Sequence, residues 1–155
     1  MARREKKKQD RFEYYYCQVE EWSRSYHFGI DYSYRADPDG PPWEWNEVSI
    51  RGKIIHITDT VTERRRYKHM ELTLITKHEE DADLGRISVG FTDAYEGTLR
   101  CLVWLPSTSF GSIIPSLEQG RFKEAVVRVK NFSYRRGQID SMDLHTEFTP
   151  DDDLM

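Results

Sequence analysis

Cysteine is nearly absent from this chain. Its two copies, Cys17 and Cys101, stand far apart and form no Cys-x-x-Cys pair, which excludes a zinc or dithiol redox motif and leaves one disulfide open only if their strands are neighbours. Both lie inside apolar, strand-like runs. The expectation is two small buried hydrophobes with free thiols in a reducing, cytoplasmic compartment. Long apolar runs are missing too. The longest, Cys101 to Leu105, is five residues, far short of the roughly 20 that a membrane-spanning helix needs. The opening Met1-Ala2-Arg3-Arg4-Glu5-Lys6-Lys7-Lys8 has no apolar stretch behind it and does not read as a signal peptide. No glycine-rich phosphate loop, no Gly-x-Ser-x-Gly elbow and no His-x-His pair occurs. The expectation is a protein that binds rather than catalyses, with no cofactor and no metal.

Two weaker hints of chemistry remain. His69 with Glu71, and His145 with Glu147, are two residues apart, so each pair shares one face of a strand. They alternate with apolar residues and are expected to be solvated cross-strand pairs rather than ligands. Glu44 and Glu47 flank tryptophans, but a glycosidase needs two carboxylates in a cleft, and nothing in the spacing supplies one.

The charge is plentiful and segregated. Charged residues make up 32% of the 155, with a net charge of −4. Residues 1–11 carry +4, Glu79 to Asp83 carry −4, and Glu147 with Asp151, Asp152 and Asp153 carry −4, which leaves the rest of the chain neutral. Residues 1–11 are read as a basic tail, 12–148 as a single β domain and 149–155 as an acidic tail. A neutral body gives no general attraction to nucleic acid or to an anionic membrane.

The dominant hydrophobic period is two. Tyr26, Phe28, Ile30, Tyr32 and Tyr34 alternate with smaller or polar residues, as do Met70, Leu72 and Leu74, then Ile87, Val89 and Phe91, then Met142, Leu144 and Phe148. Thr98–Leu105 and Glu124–Tyr134 are apolar on both sides and read as strands buried twice. Phe12–Val19 is mixed. In Val48–Thr58 the phase of Val48 and Ile50 is opposite to that of Ile55 and Ile57, and a β-bulge at Arg51-Gly52 would reconcile them. Asp93 to Gly97 and Arg135 to Gln138 read as hairpin turns, the second with Gly137 at a positive φ. Phe110, Ile113, Ile114 and Leu117 fall on one helical face, with Pro115 inside the pattern and Gly120 after it. That predicts one short, broken helix near residues 109–119, docked as a plug. The fold class is all-β and mainly antiparallel, a meander of about eight strands forming a sandwich or a partly open barrel.

Aromatic residues reach 13%, and they point to binding. Pro41-Pro42 stiffens the chain before Trp43-Glu44-Trp45, so the two rings project together. With Tyr34 they form the leading candidate site, Trp43, Glu44, Trp45 and Tyr34, for an unidentified protein partner of a regulatory module. The alternative is a single-stranded nucleic-acid-binding barrel using Arg64, Arg65, Arg66 and Lys68 at one hairpin tip, with Arg135 and Arg136 at another. A third reading is a small-ligand barrel whose interior holds Tyr26, Phe28, Tyr32 and Trp104.

Overall fold

The computed structural model of this chain describes residues 9–29, 43–58, 67–77 and 88–154. Within them, β1 (Phe12–Gly29), β2 (Trp43–Thr58), β3 (His69–Lys77), β4 (Gly90–Tyr95), β5 (Thr98–Pro106), β6 (Glu124–Ser133) and β7 (Arg136–His145) close into one barrel, with α1 (Phe110–Glu118) between β5 and β6. The order around the barrel is β1-β2-β3-β5-β4-β7-β6, and β6 pairs back onto β1. All neighbours are antiparallel except β3 and β5, which run parallel from His69↔Thr98 to Lys77↔Pro106. The all-β class, the antiparallel majority and the single short helix are as the sequence implies. The barrel is closed rather than partly open, and the meander is interrupted twice: β4 lies beyond β5 instead of beside β3, and β6 lies between β7 and β1 instead of beside β5.

Closure follows from where the apolar period puts side chains. Met70, Leu72 and Leu74 of β3 face Val48 and Ile50 of β2 and Leu99, Cys101 and Val103 of β5, and all are buried. Val127, Val129 and Ile139 complete the ring from β6 and β7. The interior is therefore filled by side chains, as in small barrels generally.

Several sequence expectations are corrected. Two of the expected strands are one: Phe12–Val19 and the Tyr26–Phe28 run are continuous in β1, which brings the count to seven among the described residues. β1 and β2 outrun the barrel. β6 leaves β1 at Gln18, and β3 leaves β2 at Glu47, so Tyr26–Gly29 and Trp43–Asn46 form a two-stranded ribbon. Tyr26 and Phe28 sit on it 56% and 65% exposed, and Trp104 faces outward from β5, so these three do not line an interior. Tyr32 lies outside the described residues.

The bulge in β2 is at Ile55, not at Arg51-Gly52. Tyr16 pairs with His56 and Cys17 with Ile54, so Ile55 is skipped and exposed while Ile57 packs on the core. Gly52 stays in phase and is buried. Its place is dictated by the Gln18 carbonyl, which lies 1.8 Å from where a Cβ would be. In β4 the inward residues are Gly90, Thr92 and Ala94, and Phe91 points out. The Thr92 hydroxyl is satisfied inside by donating to the Arg100 carbonyl at 2.8 Å. Phe148, beyond β7, is exposed as well.

The helix is unbroken across Pro115, and Phe110, Ile114 and Leu117 join the core. Gly120, at φ +63°, ends it. The Arg121 N–H donates to the Ser116 carbonyl at 2.9 Å and the Gly120 N–H to Leu117 at 3.0 Å, a Schellman close.

Candidate functional site

The strand directions give the barrel two ends. At the first, β1 begins, β2 hands over to β3, and the β4–β5 and β6–β7 turns lie side by side. At the second, β1 hands over to β2, β3 to β4 and β5 through α1 to β6, and β7 finishes. The chain segments that leave these ends differ in charge. Residues 1–11, 59–68, 96–97 and 134–135, all attached at the first end, carry a formal +6. Residues 30–42, 78–89, 107–123 and 146–155, attached at the second, carry −8. Neither the tail nor the loops are exceptional alone; the topology sorts them by sign.

The described part of the first end is tied together by the backbone. The Lys68 N–H donates to the Gly97 carbonyl at 2.9 Å, and the Ala94 N–H to the Arg135 carbonyl at 2.9 Å. Beneath the rim, Tyr15, Tyr67 and Phe132 pack ring on ring, with centroids 5.9 to 6.4 Å apart. The Tyr15 hydroxyl donates to the buried Glu13 carboxylate. The chain entering β1 is also held: the Arg11 N–H donates to Asn131 Oδ1 at 3.0 Å, and Asp10 takes Asn131 Nδ2 at 3.1 Å and Lys130 Nζ at 3.2 Å. Those hydrogen bonds, from Asn131 first and Lys130 second, hold the Asp10 carboxyl below its ordinary range. A groove of about 340 Å³ lies here, lined by Gln9, Asp10, Arg11, Asn131, Phe132 and Ser133.

The β6–β7 turn is the unusual element. Its central residues, Tyr134 and Arg135, have φ of 50° and 66°. Two positive φ values define the turn that the twist of a hairpin demands, and Asn-Gly fills it at least cost. Tyr and Arg each carry roughly 1–2 kcal/mol of steric strain there. Tyr134 recovers none of this by packing, since it is 97% exposed. Gly137 is not the turn glycine; it sits in β7, where a Cβ would meet Val129 Cγ1 at 2.4 Å. The neighbouring turn, Glu96-Gly97, has φ of 46° and 78° and does use glycine.

From this tip an aromatic and basic stripe continues over the outer surface of β4, β5 and β7. Tyr95 is 54% exposed, and Phe91, 47% exposed, has its ring centroid 5.7 Å from that of Trp104. Between Phe91 and Tyr95, Asp93 pairs with Arg100 on one side and stands opposite Arg136 on the other. The Arg100–Asp93 contact is 3.1 Å, and the Arg100 guanidinium lies 5.3 Å from the Tyr95 ring centre.

Of the sequence candidates, Lys68, Arg135 and Arg136 come together at the first end and are exposed. Arg64, Arg65, Arg66 and Tyr34 lie outside the described residues. Trp43, Glu44 and Trp45 open β2, opposite Gly29, Phe28 and His27 in the ladder, so they belong to the ribbon at the second end. Phe91, Tyr95 and Arg100 were not anticipated as surface groups. The signal was there: Asp93 shares a strand face with Phe91 and Tyr95, and Arg100 shares one with Trp104. A charge in mid-strand marks the wet side.

The two His–Glu pairs do not act as units. His145 Nδ1 is 3.0 Å from Glu124 rather than paired with Glu147. Among the described residues, no three His, Cys, Asp or Glu side chains converge as a metal site would require. No described helix is long and apolar enough to cross a membrane.

Comparisons with protein-family models, with curated proteins and with solved structures return no match for this chain.

Proposed function

We propose that this protein is a non-enzymatic barrel that binds single-stranded nucleic acid, gripping phosphates at the end that carries Lys68, Arg135 and Arg136. The observation that supports this most is the sorting of charge, with +6 on the segments attached at one end and −8 on those attached at the other. Among the described residues, exposed Lys68, Arg135 and Arg136 at the first end offer a polyanion cations, while exposed Asp151, Asp152 and Asp153 follow β7 at the second. Guanidinium groups on a rigid turn suit phosphate oxygens. The reading calls for no cofactor, and two free buried thiols accord with a reducing, cytoplasmic setting.

The test is fluorescence anisotropy of a labelled thymidine oligonucleotide over a series of salt concentrations. Binding should weaken linearly in log salt. Arg135→Ala with Arg136→Ala should flatten that slope by about 0.7 per lost phosphate contact. Absence of binding at low salt, or a slope unmoved by both changes, overturns the proposal.

A second reading, a protein partner, keeps one specific support. Tyr26 and Phe28 are exposed together on the ribbon that Trp43, Glu44 and Trp45 enter. Large aromatics on such a projection suit a protein interface. It would show as a partner captured in the presence of nuclease and lost on Tyr26→Ala with Phe28→Ala.

A further inference from the structure

We infer that the outer face of β4 and β5 is a base-stacking track, on which Phe91, Trp104 and Tyr95 receive unpaired bases from a strand whose phosphates are held at Arg136 and the Tyr134-Arg135 tip. This rests on the nucleic-acid reading above and adds to it where the bases go.

The geometry has a repeating order. The Phe91–Trp104 ring pair comes first, then the level of Arg100 and Arg136, then Tyr95, then the tip. Phe91 and Tyr95 are four residues apart on one strand face, about 13 Å at the usual rise. The arginines stand between the two aromatic positions, as phosphates stand between bases. Arg100 is engaged, since Asp93 holds it at 3.1 Å and Tyr95 lies under it at 5.3 Å. Asp93 lies between the two guanidinium groups and Glu71 stands across from Arg100 on β3, so Arg136, at the edge of that row nearest the tip, is the cation left for a phosphate. The occupant offers phosphates to Arg136 and to Arg135 at the tip, and flat apolar faces to the rings, which describes a single strand and not a duplex, whose bases are already stacked. An apolar protein partner would leave the exposed Arg135 and Arg136 without a counter-charge of its own. The strained turn has a role here as well: it presents Tyr134 and Arg135 at the mouth of the track, a position that a strain-free Asn-Gly turn would leave without ring or charge.

The experiment compares a labelled single strand, an abasic strand of equal length and a duplex on the wild-type protein, then repeats the comparison on Phe91→Leu, Phe91→Trp and Tyr95→Ala. The single strand should bind about fivefold or more tightly than the abasic strand, and more tightly than the duplex. Phe91→Leu and Tyr95→Ala should erode that preference and leave the salt slope unchanged, while Phe91→Trp retains it. Phe91 is half-exposed, and the Leu and Trp variants keep its apolar contact, so a difference between them reports the ring and not the fold. Equal affinity for the normal and abasic strands overturns the track and leaves phosphate binding at the basic end standing. Failure to bind any of the three probes overturns both.

Discussion

The carboxylate of Glu124, the first residue of β6, accepts the backbone N–H of Thr149, with 3.2 Å to each oxygen. The Thr149 hydroxyl donates to it too, and His145 Nδ1 lies 3.0 Å away. Glu124 is 1% exposed, so these partners are what make its burial tolerable. They also draw the chain after β7 back across the second end of the barrel. Glu124→Ala should cost roughly 1–3 kcal/mol in urea unfolding, since it removes the shared acceptor of three half-buried donors and empties a buried site. Glu147→Ala, at an exposed site nearby, should stay within about 0.5 kcal/mol. Equal costs would show that the latch does not hold.

In the core, Leu72 is fully buried between β2 and β5, and Thr73 faces the other way. Leu72→Ala is expected to cost about 2–5 kcal/mol. Thr73→Ala should cost well under about 1 kcal/mol in the same titration.

The glycines make a graded series. Gly52→Ala drives a Cβ onto the Gln18 carbonyl at 1.8 Å and the Cys17 sulfur at 2.8 Å, both inside the bulged β1–β2 ladder. Backbone cannot yield there as a side chain can, so the loss should reach about 3 kcal/mol or prevent folding. Gly111→Ala meets nothing within 4 Å in α1, and should stabilise by roughly 0.5–1 kcal/mol through helix propensity. Thermal melting of the two variants, with opposite signs, checks the assignment.

Burial pushes both thiols up, Cys17 and Cys101 each from 9.0 to about 12. Neither should react with a thiol reagent in the native state at neutral pH, and both should in denaturant. The unfolded chain releases these protons near pH 9, the folded one only near 12. The stability that this difference supplies is complete below pH 9 and is lost as pH rises through that window. Chemical denaturation at a series of alkaline pH values should show a steady fall.

The β6–β7 tip should trade stability for binding. Tyr134→Asn with Arg135→Gly relieves both positive-φ strains and is expected to raise stability by about 1–2 kcal/mol. The same change should weaken oligonucleotide binding. A variant that gains stability and keeps full affinity would remove the reason given for the strain.

Periodicity along the chain is enough for the all-β class, the inward face of β3 and the helix stopped at Gly120. Each is a local property, since apolar spacing and a single glycine act within a few residues. In contrast β5, apolar on both sides in sequence, is buried on the Leu99, Cys101 and Val103 face alone. The inward face of β4 was misread because Phe91 outweighs Thr92 in any hydrophobic count, while the choice between them belongs to the hydroxyl's partner, Arg100, on another strand. The bulge at Ile55 was misplaced for a similar reason. A phase change says that an extra residue is needed, and only the pairing with Tyr16 and Cys17 says where.

The candidate site divides along the same line. Arginines beside tyrosine at a hairpin tip can be read in sequence. That Lys68, Arg135 and Arg136 share one end, and that the ribbon carrying Trp43 and Trp45 leaves from the other, cannot. Sequence by itself determined which residues alternate, which are charged and where turns occur, because those depend on neighbours a few positions away. Tertiary structure decided that the barrel closes, that β5 lies parallel to β3, and that Lys68, Arg135 and Arg136 share one end. Each of these depends on strand order, which is set by long-range pairing and side-chain fit that no local spacing encodes.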